Sequence, residues 1–214
     1  MGRHIFVDNA NIYGGAQRAA ATLEPGAIWM AVRLYYRNFF SLIEGADVTT
    51  RTMAGSVPPG NEALWQTARD LGYNTDLLRR VEQDDGRLIE QAVDEMLHLR
   101  IANALLDHDP PQTLVIATGD GRDSEWYTSF PAQAERALKR GWNVEIWSWR
   151  EQLATIRYDR LCRLYKGRVI VKVLDPYYKA LTFVKAGTYN IHGANVTVAG
   201  RVVSQLRTDA PRAA

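Results

Sequence analysis

Two acidic side chains follow apolar, strand-like segments of this sequence, and their positions suit catalysis or metal binding. Asp8 follows "HIFV", and Asp120 follows "TLVIATG". Ligands bind beyond the carboxyl ends of the strands in an open parallel sheet, so we expect both carboxylates at one edge. Glu90 and Asp94 lie at i and i+4 in the first turns of a predicted crossover helix, which runs antiparallel to the strands. The sequence therefore predicts that several carboxylates meet at this edge.

Converging carboxylates repel each other, and a divalent cation removes the repulsion. Hard oxygen ligands without a cluster of Cys or His favour Mg²⁺ or Mn²⁺, which can activate water and stabilise both oxygens of a phosphodiester displacement. Asp123 and Glu125 add further acids after Asp120, and we predict that Asp123 is a catalytic residue. The amides of Asn9 and Asn11 are predicted to donate to phosphate oxygens or to orient a water molecule.

Each of these residues also has an ordinary structural explanation. An aspartate at a strand end often caps a turn or a helix, and Gly-Asp-Gly is a common turn sequence. Acids on a helix often only face the solvent. The functional interpretation depends on three acids being predicted at the same edge of one sheet.

Alternating strand and helix patterns predict the elements that position these acids. This alternation is typical of a parallel sheet with helices on both faces, a three-layer α/β/α fold. Gly14 and Gly15 are expected to let the chain leave the site after the first strand. An α/β domain over 1–154 and a basic, β-rich extension over 155–214 are predicted. The predicted strands are 4–8, 46–54, 74–81, 113–118 and 143–149, and the predicted helices are 28–44, 87–107, 129–141 and 150–164, with a loop and a helix within 55–73.

Composition excludes several classes of protein. The chain of 214 residues has one cysteine, Cys162, so a disulfide framework within the chain is impossible and a reducing, cytoplasmic location is expected. No apolar stretch approaches the roughly 20 residues that cross a bilayer, and neither a signal peptide nor a membrane partner is expected. The absence of a P-loop motif and of a Ser-His-acid grouping argues against nucleotide hydrolysis and acyl transfer.

Charge is distributed unevenly along the chain. Residues 155–214 contain 11 Lys and Arg but only three acids, whereas residues 1–154 contain 15 Lys and Arg and 21 acids. A basic segment attracts polyanions such as nucleic acids, although a solubilising surface gives the same pattern. The charge pattern therefore favours a polyanion such as a nucleic acid as the partner of the basic extension.

Four motifs in the same order resemble those of the NYN domains, a branch of the PIN-like ribonuclease superfamily. The resemblance covers roughly residues 4–150. The opening hydrophobic-Asp-x-x-Asn motif corresponds to Asp8 and Asn11 in "IFVDNANIYGG". The other motifs are "AGSVPP" with Gly55 and Ser56, "EQAVDEMLHL" with Glu90, Val93 and Asp94, and "ATGDGRDSEW" with Thr118, Gly119 and Asp120.

This resemblance implies a PIN-like α/β/α fold and a metal-dependent endoribonuclease. It implies that Asp8, Asp94 and Asp120 hold Mg²⁺ or Mn²⁺. Asn11, Ser56 and Thr118 would position phosphate, water or the other ligands. The predicted substrate-binding residues are Asn9, Asn11, Tyr13, Ser56, Thr118 and Arg122.

Two departures from the family pattern motivate alternatives. Arg122 stands where the family often has a second Asp, and Gln91 stands where it has Lys. A protein of this fold that binds RNA or acts as a scaffold without efficient cleavage is one alternative, and a related DNA nuclease is another. The sequence also leaves a homo-oligomer open.

Overall fold

The protein is described by a computed structural model that covers residues 1–56, 62–78, 81–82, 88–89, 92–122, 128–191 and 193–207. Four residues of the sequence prediction lie outside these ranges: Glu90, Gln91, Asp123 and Glu125. No described helix combines the length and the apolar character that crossing a membrane requires.

Six parallel strands form the central sheet, in the spatial order β4-β3-β1-β7-β8-β9. The parallel sheet predicted from the sequence is thus confirmed. Strand β1 lies between β3 and β7, so the ends of all three strands meet at the middle of the carboxyl edge. The bounds are β1 Arg3–Asp8, β3 Val48–Ser56, β4 Asn74–Leu78, β7 Thr113–Ala117, β8 Asn143–Ser148 and β9 Val169–Val173. Two short strands outside this sheet, β5 Val81–Glu82 and β6 Leu88–Ile89, pair antiparallel with each other.

Helices cover both faces of the sheet. Ile5 and Val7 of β1 belong to the apolar core on one face, and Phe6 belongs to the core on the other, because successive side chains of a strand point to opposite faces. This arrangement confirms the predicted three-layer α/β/α fold. The helices are α1 Asn9–Leu23, α2 Tyr36–Glu44, α3 Glu62–Asp70, α4 Val93–Asp107, α5 Phe130–Lys139, α6 Thr155–Leu164 and α7 Tyr178–Leu181.

Helix α1 differs from the prediction, which had the chain leave the site at Gly14 and Gly15. The helix begins directly after β1 because the carboxylate of Asp8 caps it, accepting a hydrogen bond from the backbone N–H of Asn11. Ile12 and Ala16 then bury one face, one helical turn apart. The two glycines therefore lie inside a helix.

The predicted helix over 28–44 is correct only in its second half. Residues 32–34 form a strand, β2 (Val32–Leu34), which pairs antiparallel with β10 (Thr182–Val184). The apolar spacing suited a helix, but pairing with a strand about 150 residues away decides the conformation. Such a partner is not visible in the local pattern.

Alanine substitutions at Gly14 and Gly15 are expected to change stability in opposite directions. A Cβ on Gly15 would overlap with Gln152 and with the indole of Trp149, which is buried and donates from Nε1 to the carbonyl of Ile12 at 2.8 Å. Gly15→Ala should therefore cost about 1–3 kcal/mol of unfolding free energy. A Cβ on Gly14 would lie 3.5 Å from the guanidinium of Arg18, an ordinary contact, so Gly14→Ala should add about 0.5–1 kcal/mol. Urea denaturation of both variants tests this, and shifts of the same sign would contradict it.

The C-terminal extension is continuous with the central sheet. Strand β9 pairs with β8, so the predicted boundary between residues 154 and 155 is not a break in the fold. A β extension follows, in which β10 pairs with β2 and the hairpin of β11 (Gly187–Ile191) and β12 (Ala194–Val198) is mostly exposed.

Three basic side chains of this extension bind other parts of the protein. Arg168 donates to the carbonyls of Leu138 and Trp142, Lys172 pairs with Glu145 at 3.2 Å, and Arg201 pairs with Glu24 at 2.6 Å. These contacts attach β9 and the segment after β12 to the rest of the chain. Part of the positive charge that the sequence analysis assigned to polyanion binding therefore stabilises the fold.

Candidate functional site

The carboxylate of Asp8 is held in a fixed orientation at the end of β1. Its Oδ1 accepts a hydrogen bond from the backbone N–H of Asn11 at 3.0 Å, and its Oδ2 accepts one from the hydroxyl of Thr118, also at 3.0 Å. Only 4% of Asp8 is exposed. Strands β1 and β7 are neighbours and Val7 pairs with Ala117, so the sheet itself brings Asp8 and Thr118 together.

Asn11 and Thr118 connect the ends of these two strands. The side-chain oxygen of Asn11 accepts a hydrogen bond from the backbone N–H of Gly119 at 3.0 Å. The hydroxyl of Thr118 also accepts from the backbone N–H of Asp120 at 3.3 Å. Both residues therefore fix the position of the backbone that carries Asp120.

Asp120 forms a two-pronged ion pair with Arg122. The Nε of Arg122 lies 2.9 Å from Oδ2 of Asp120, Nη2 lies 2.6 Å from the same oxygen, and the backbone N–H of Arg122 donates to Oδ1 at 2.7 Å. Burial raises the pKa of the Asp120 carboxyl, but the hydrogen bonds and the charge of Arg122 lower this pKa by more, so it lies below its usual value. The side chain of Arg122 is 87% exposed, so it can leave Asp120 without unfolding the chain.

One cleft of about 300 Å³, which we call the acid cleft, brings together all three predicted metal ligands that the structure describes. Asp94 lies in the first turn of α4, where the positive end of the helix dipole stabilises an acid. The charges of Asp94 and Asp8 both act on Arg122 and help to raise its pKa, after the larger effect of its hydrogen bonds to Asp120. The cleft is lined by Asp8, Ala10, Asn11, Arg18, Ala92, Val93, Asp94, Glu95, Asp120 and Arg122.

The donors of the acid cleft suit a hard cation, and Arg122 competes with it. Carboxylate and amide oxygens are the ligands that Mg²⁺ and Mn²⁺ prefer. Within the described ranges, no three His, Cys, Asp or Glu side chains are grouped closely enough to hold a metal ion. Since Arg122 occupies both oxygens of Asp120, a metal ion would use this carboxylate only after Arg122 moved away.

Four predicted substrate-binding residues do not line the described part of the acid cleft: Asn9, Tyr13, Ser56 and Thr118. Thr118 is fully buried, and its hydroxyl donates to Asp8. The side-chain oxygen of Asn9 accepts a hydrogen bond from the hydroxyl of Tyr36 at 2.6 Å, which directs it toward α2. Ser56 is buried at the end of β3, and the hydroxyl of Tyr13 accepts from Gln17 at 3.3 Å.

Arg18 and Glu95 line the acid cleft but were absent from the sequence prediction. Arg18 follows Asn11 by seven residues, which places the two side chains on one face of α1. A helix prediction over 9–23 would have revealed this shared face. Glu95 follows Asp94 directly in the first turn of α4.

His98 lies one turn after Asp94 and is buried against Phe130, with ring centroids 4.6 Å apart. Neither ring nitrogen has a hydrogen-bond partner in the described part of the chain. Burial, with a smaller contribution from the charge of Arg136 and against an opposing effect of Asp120, lowers the pKa of His98 to about 4. The imidazole is therefore neutral at pH 7 and fills part of the core.

We expect His98 to make the protein less stable as the pH falls. Between the usual pKa of 6.5 and about 4, the unfolded chain binds a proton at this residue and the folded chain does not. At pH 5 this difference corresponds to about 2 kcal/mol. The free energy of unfolding is measured by urea denaturation at pH 7.5 and at pH 5. Its decrease between the two pH values should be smaller in His98→Leu than in the wild type, by about this amount. Equal losses in both proteins would show that His98 is not responsible.

Comparison with known proteins supports the fold. No protein-family model and no curated protein matches this sequence. Among solved structures, the chain is similar to a protein of unknown function from Vibrio parahaemolyticus, with a TM-score of 0.59 and 16% sequence identity. The alignment covers 81% of this chain and 94% of the other. At this identity the likeness shows that the two proteins share a fold.

Proposed function

We propose that this protein is a metal-dependent ribonuclease of the NYN type, acting in the cytoplasm. One observation carries the proposal: Asp8, Asp94 and Asp120 line a single cleft at the carboxyl edge of the sheet. Parallel sheets bind ligands at this edge. Three of the four motifs that resemble the family contribute residues to this cleft: Asp8 and Asn11, Val93 and Asp94, and Asp120.

Asp8, Asp94 and Asp120 would hold Mg²⁺ or Mn²⁺, and Asp123 stays a predicted catalytic residue from the sequence alone. The bound ion would supply Lewis acidity toward a phosphodiester and toward water. The contribution of Asn11 and Thr118 is to orient Asp8 and the backbone of Asp120. Groups that hold carboxylate ligands in place commonly affect metal affinity or activity by about 10- to 100-fold.

Arg18 and Arg122 contribute positive charge at the same cleft. An RNA phosphate that enters a cleft with several carboxylates is repelled, and guanidinium groups reduce this repulsion and can bind phosphate with two parallel hydrogen bonds. In this proposal Arg122 leaves Asp120 when the substrate and the metal ion bind.

A non-cleaving RNA-binding protein is the second candidate, and the ion pair between Arg122 and Asp120 favours it. This pair neutralises one of the three predicted metal ligands. A protein in which Arg122 never releases Asp120 would bind RNA without a working metal site.

Cleavage assays on matched substrates test the proposal. The wild type is incubated with labelled RNA and with DNA of the same sequence, in Mn²⁺ or in EDTA. We expect RNA to be cleaved in Mn²⁺ and to stay intact in EDTA. RNA that is bound in EDTA but stays intact in Mn²⁺ would identify the second candidate, and faster cleavage of DNA would identify a DNA nuclease.

A further inference from the structure

A second groove, of about 570 Å³, lies beside the acid cleft and shares Asn11, Arg18, Asp120 and Arg122 with it. We call it the arginine groove. Three arginines from three different elements line it: Arg18 from α1, Arg122 from the loop after β7, and Arg157 from α6. The full lining is Asn11, Arg18, Gly119, Asp120, Gly121, Arg122, Glu151, Gln152, Ala154 and Arg157.

Among the described lining residues, the balance of charge differs between the acid cleft and the arginine groove. Among the described residues that line the acid cleft, four carboxylates face two arginines. Among the described residues that line the arginine groove, three arginines face two carboxylates. Both carboxylates accept a hydrogen bond, Asp120 from Arg122 and Glu151 from the hydroxyl of Thr22 at 2.9 Å. A polyanion that reaches from the cleft into the groove therefore moves toward positive charge.

Close packing holds Arg157 against the loop that carries Asp120. A Cβ on Gly121 would overlap with Ala154 and would lie 3.3 Å from Cδ of Arg157. The backbone N–H of Ala154 donates to the carbonyl of Gly119 at 2.9 Å. These contacts fix the start of α6, and with it the stem of Arg157, directly beside the loop.

We propose that the arginine groove binds the backbone phosphates of an RNA strand next to the nucleotide held in the acid cleft. Arg18 and Arg157 are the phosphate-binding residues of this site. The inference rests on the proposed function, because it takes RNA as the ligand of the neighbouring cleft. Both side chains are exposed, and guanidinium groups match the geometry of phosphate oxygens.

The test measures binding without catalysis. A fluorescein-labelled single-stranded RNA of 12 nucleotides is titrated with protein in EDTA over a range of salt concentrations, and the fluorescence anisotropy is recorded. We expect Arg18→Ala and Arg157→Ala each to weaken binding roughly 3- to 10-fold. Each variant should also reduce the slope of log affinity against log salt by about 0.7, the value for one phosphate contact on a single strand.

Arg140→Ala is the matched control, since it removes the same charge from the opposite edge of the sheet, between α5 and β8. It should bind as the wild type does. If both groove variants bind RNA with the affinity and salt slope of Arg140→Ala, the proposal is wrong. Failure of the ribonuclease proposal looks different: the wild type would then leave RNA intact in Mn²⁺, whatever the groove variants show in EDTA.

Discussion

Replacement of Asp8 by asparagine is expected to reduce RNA cleavage at least about 100-fold and to leave the fold intact. Residues that merely support metal ligands commonly contribute 10- to 100-fold, so the loss of a ligand should reach at least the upper value. Asparagine keeps the shape of the side chain but removes the charge that a hard cation requires.

The substitution separates function from folding because Asp8 is also the N-cap of α1. Asparagine caps a helix about as well as aspartate does, whereas alanine typically costs about 0.5–2 kcal/mol. The side-chain oxygen of an asparagine can still accept the hydrogen bond from the backbone of Asn11. The melting temperature of Asp8→Asn should therefore stay close to that of the wild type.

Single-turnover cleavage of labelled RNA in Mn²⁺ measures the effect. Asp107→Asn is the control, since it changes an exposed aspartate at the other end of α4, far from the cleft. It should cleave RNA at the wild-type rate. Cleavage by Asp8→Asn at the wild-type rate would refute the assignment of Asp8 as a metal ligand.

Removal of the Arg122 side chain is expected to increase the affinity of the acid cleft for Mn²⁺ roughly 5- to 10-fold. In the wild type, a metal ion must displace a guanidinium from Asp120. Because Arg122 is largely exposed, its ion pair with Asp120 is worth about 1 kcal/mol, the upper end for surface pairs. Repulsion between the guanidinium and the Mn²⁺ ion adds to this cost. In Arg122→Ala there is no ion pair to break and no guanidinium to repel the metal ion.

Mn²⁺ affinity is measured in the absence of RNA, by electron paramagnetic resonance of the free ion. Arg122→Lys is the informative companion variant, since it keeps the positive charge but loses the two-pronged contact. We expect its affinity to lie between those of the wild type and Arg122→Ala. If Arg122→Ala binds Mn²⁺ no more tightly than the wild type, the ion pair does not control the site.

The two variants also distinguish the candidate functions. A ribonuclease limited by Arg122 should cleave RNA faster in Arg122→Ala at low Mn²⁺, where occupancy of the metal site limits the rate. A non-cleaving RNA-binding protein should stay inactive after either substitution. The comparison at low and at saturating Mn²⁺ therefore shows whether metal occupancy or another step limits the reaction.

Local sequence patterns were enough to predict the strands that carry the site and the acids at their ends. Apolar runs such as "HIFV" and "TLVIAT" predict buried strands of a parallel sheet, because such strands are covered on both faces. Their order along the chain, alternating with helices, places Asp8 and Asp120 at one edge. The periodic pattern of α4 adds Asp94 to the same edge. These inferences need only local patterns and the geometry of parallel sheets.

The partners of these residues depend on the packing of segments that are distant in sequence. Arg122 pairs with Asp120, Arg18 turns into the cleft on a helix that the sequence analysis did not predict, and β9 completes the sheet from within the extension. Contacts between distant segments cannot be predicted from a local sequence pattern. The hydrogen bond from Arg3 to Glu145, for example, joins residues that are 142 positions apart. Hydrophobic periodicity therefore fixed where the acids lie, and long-range packing fixed which charges surround them.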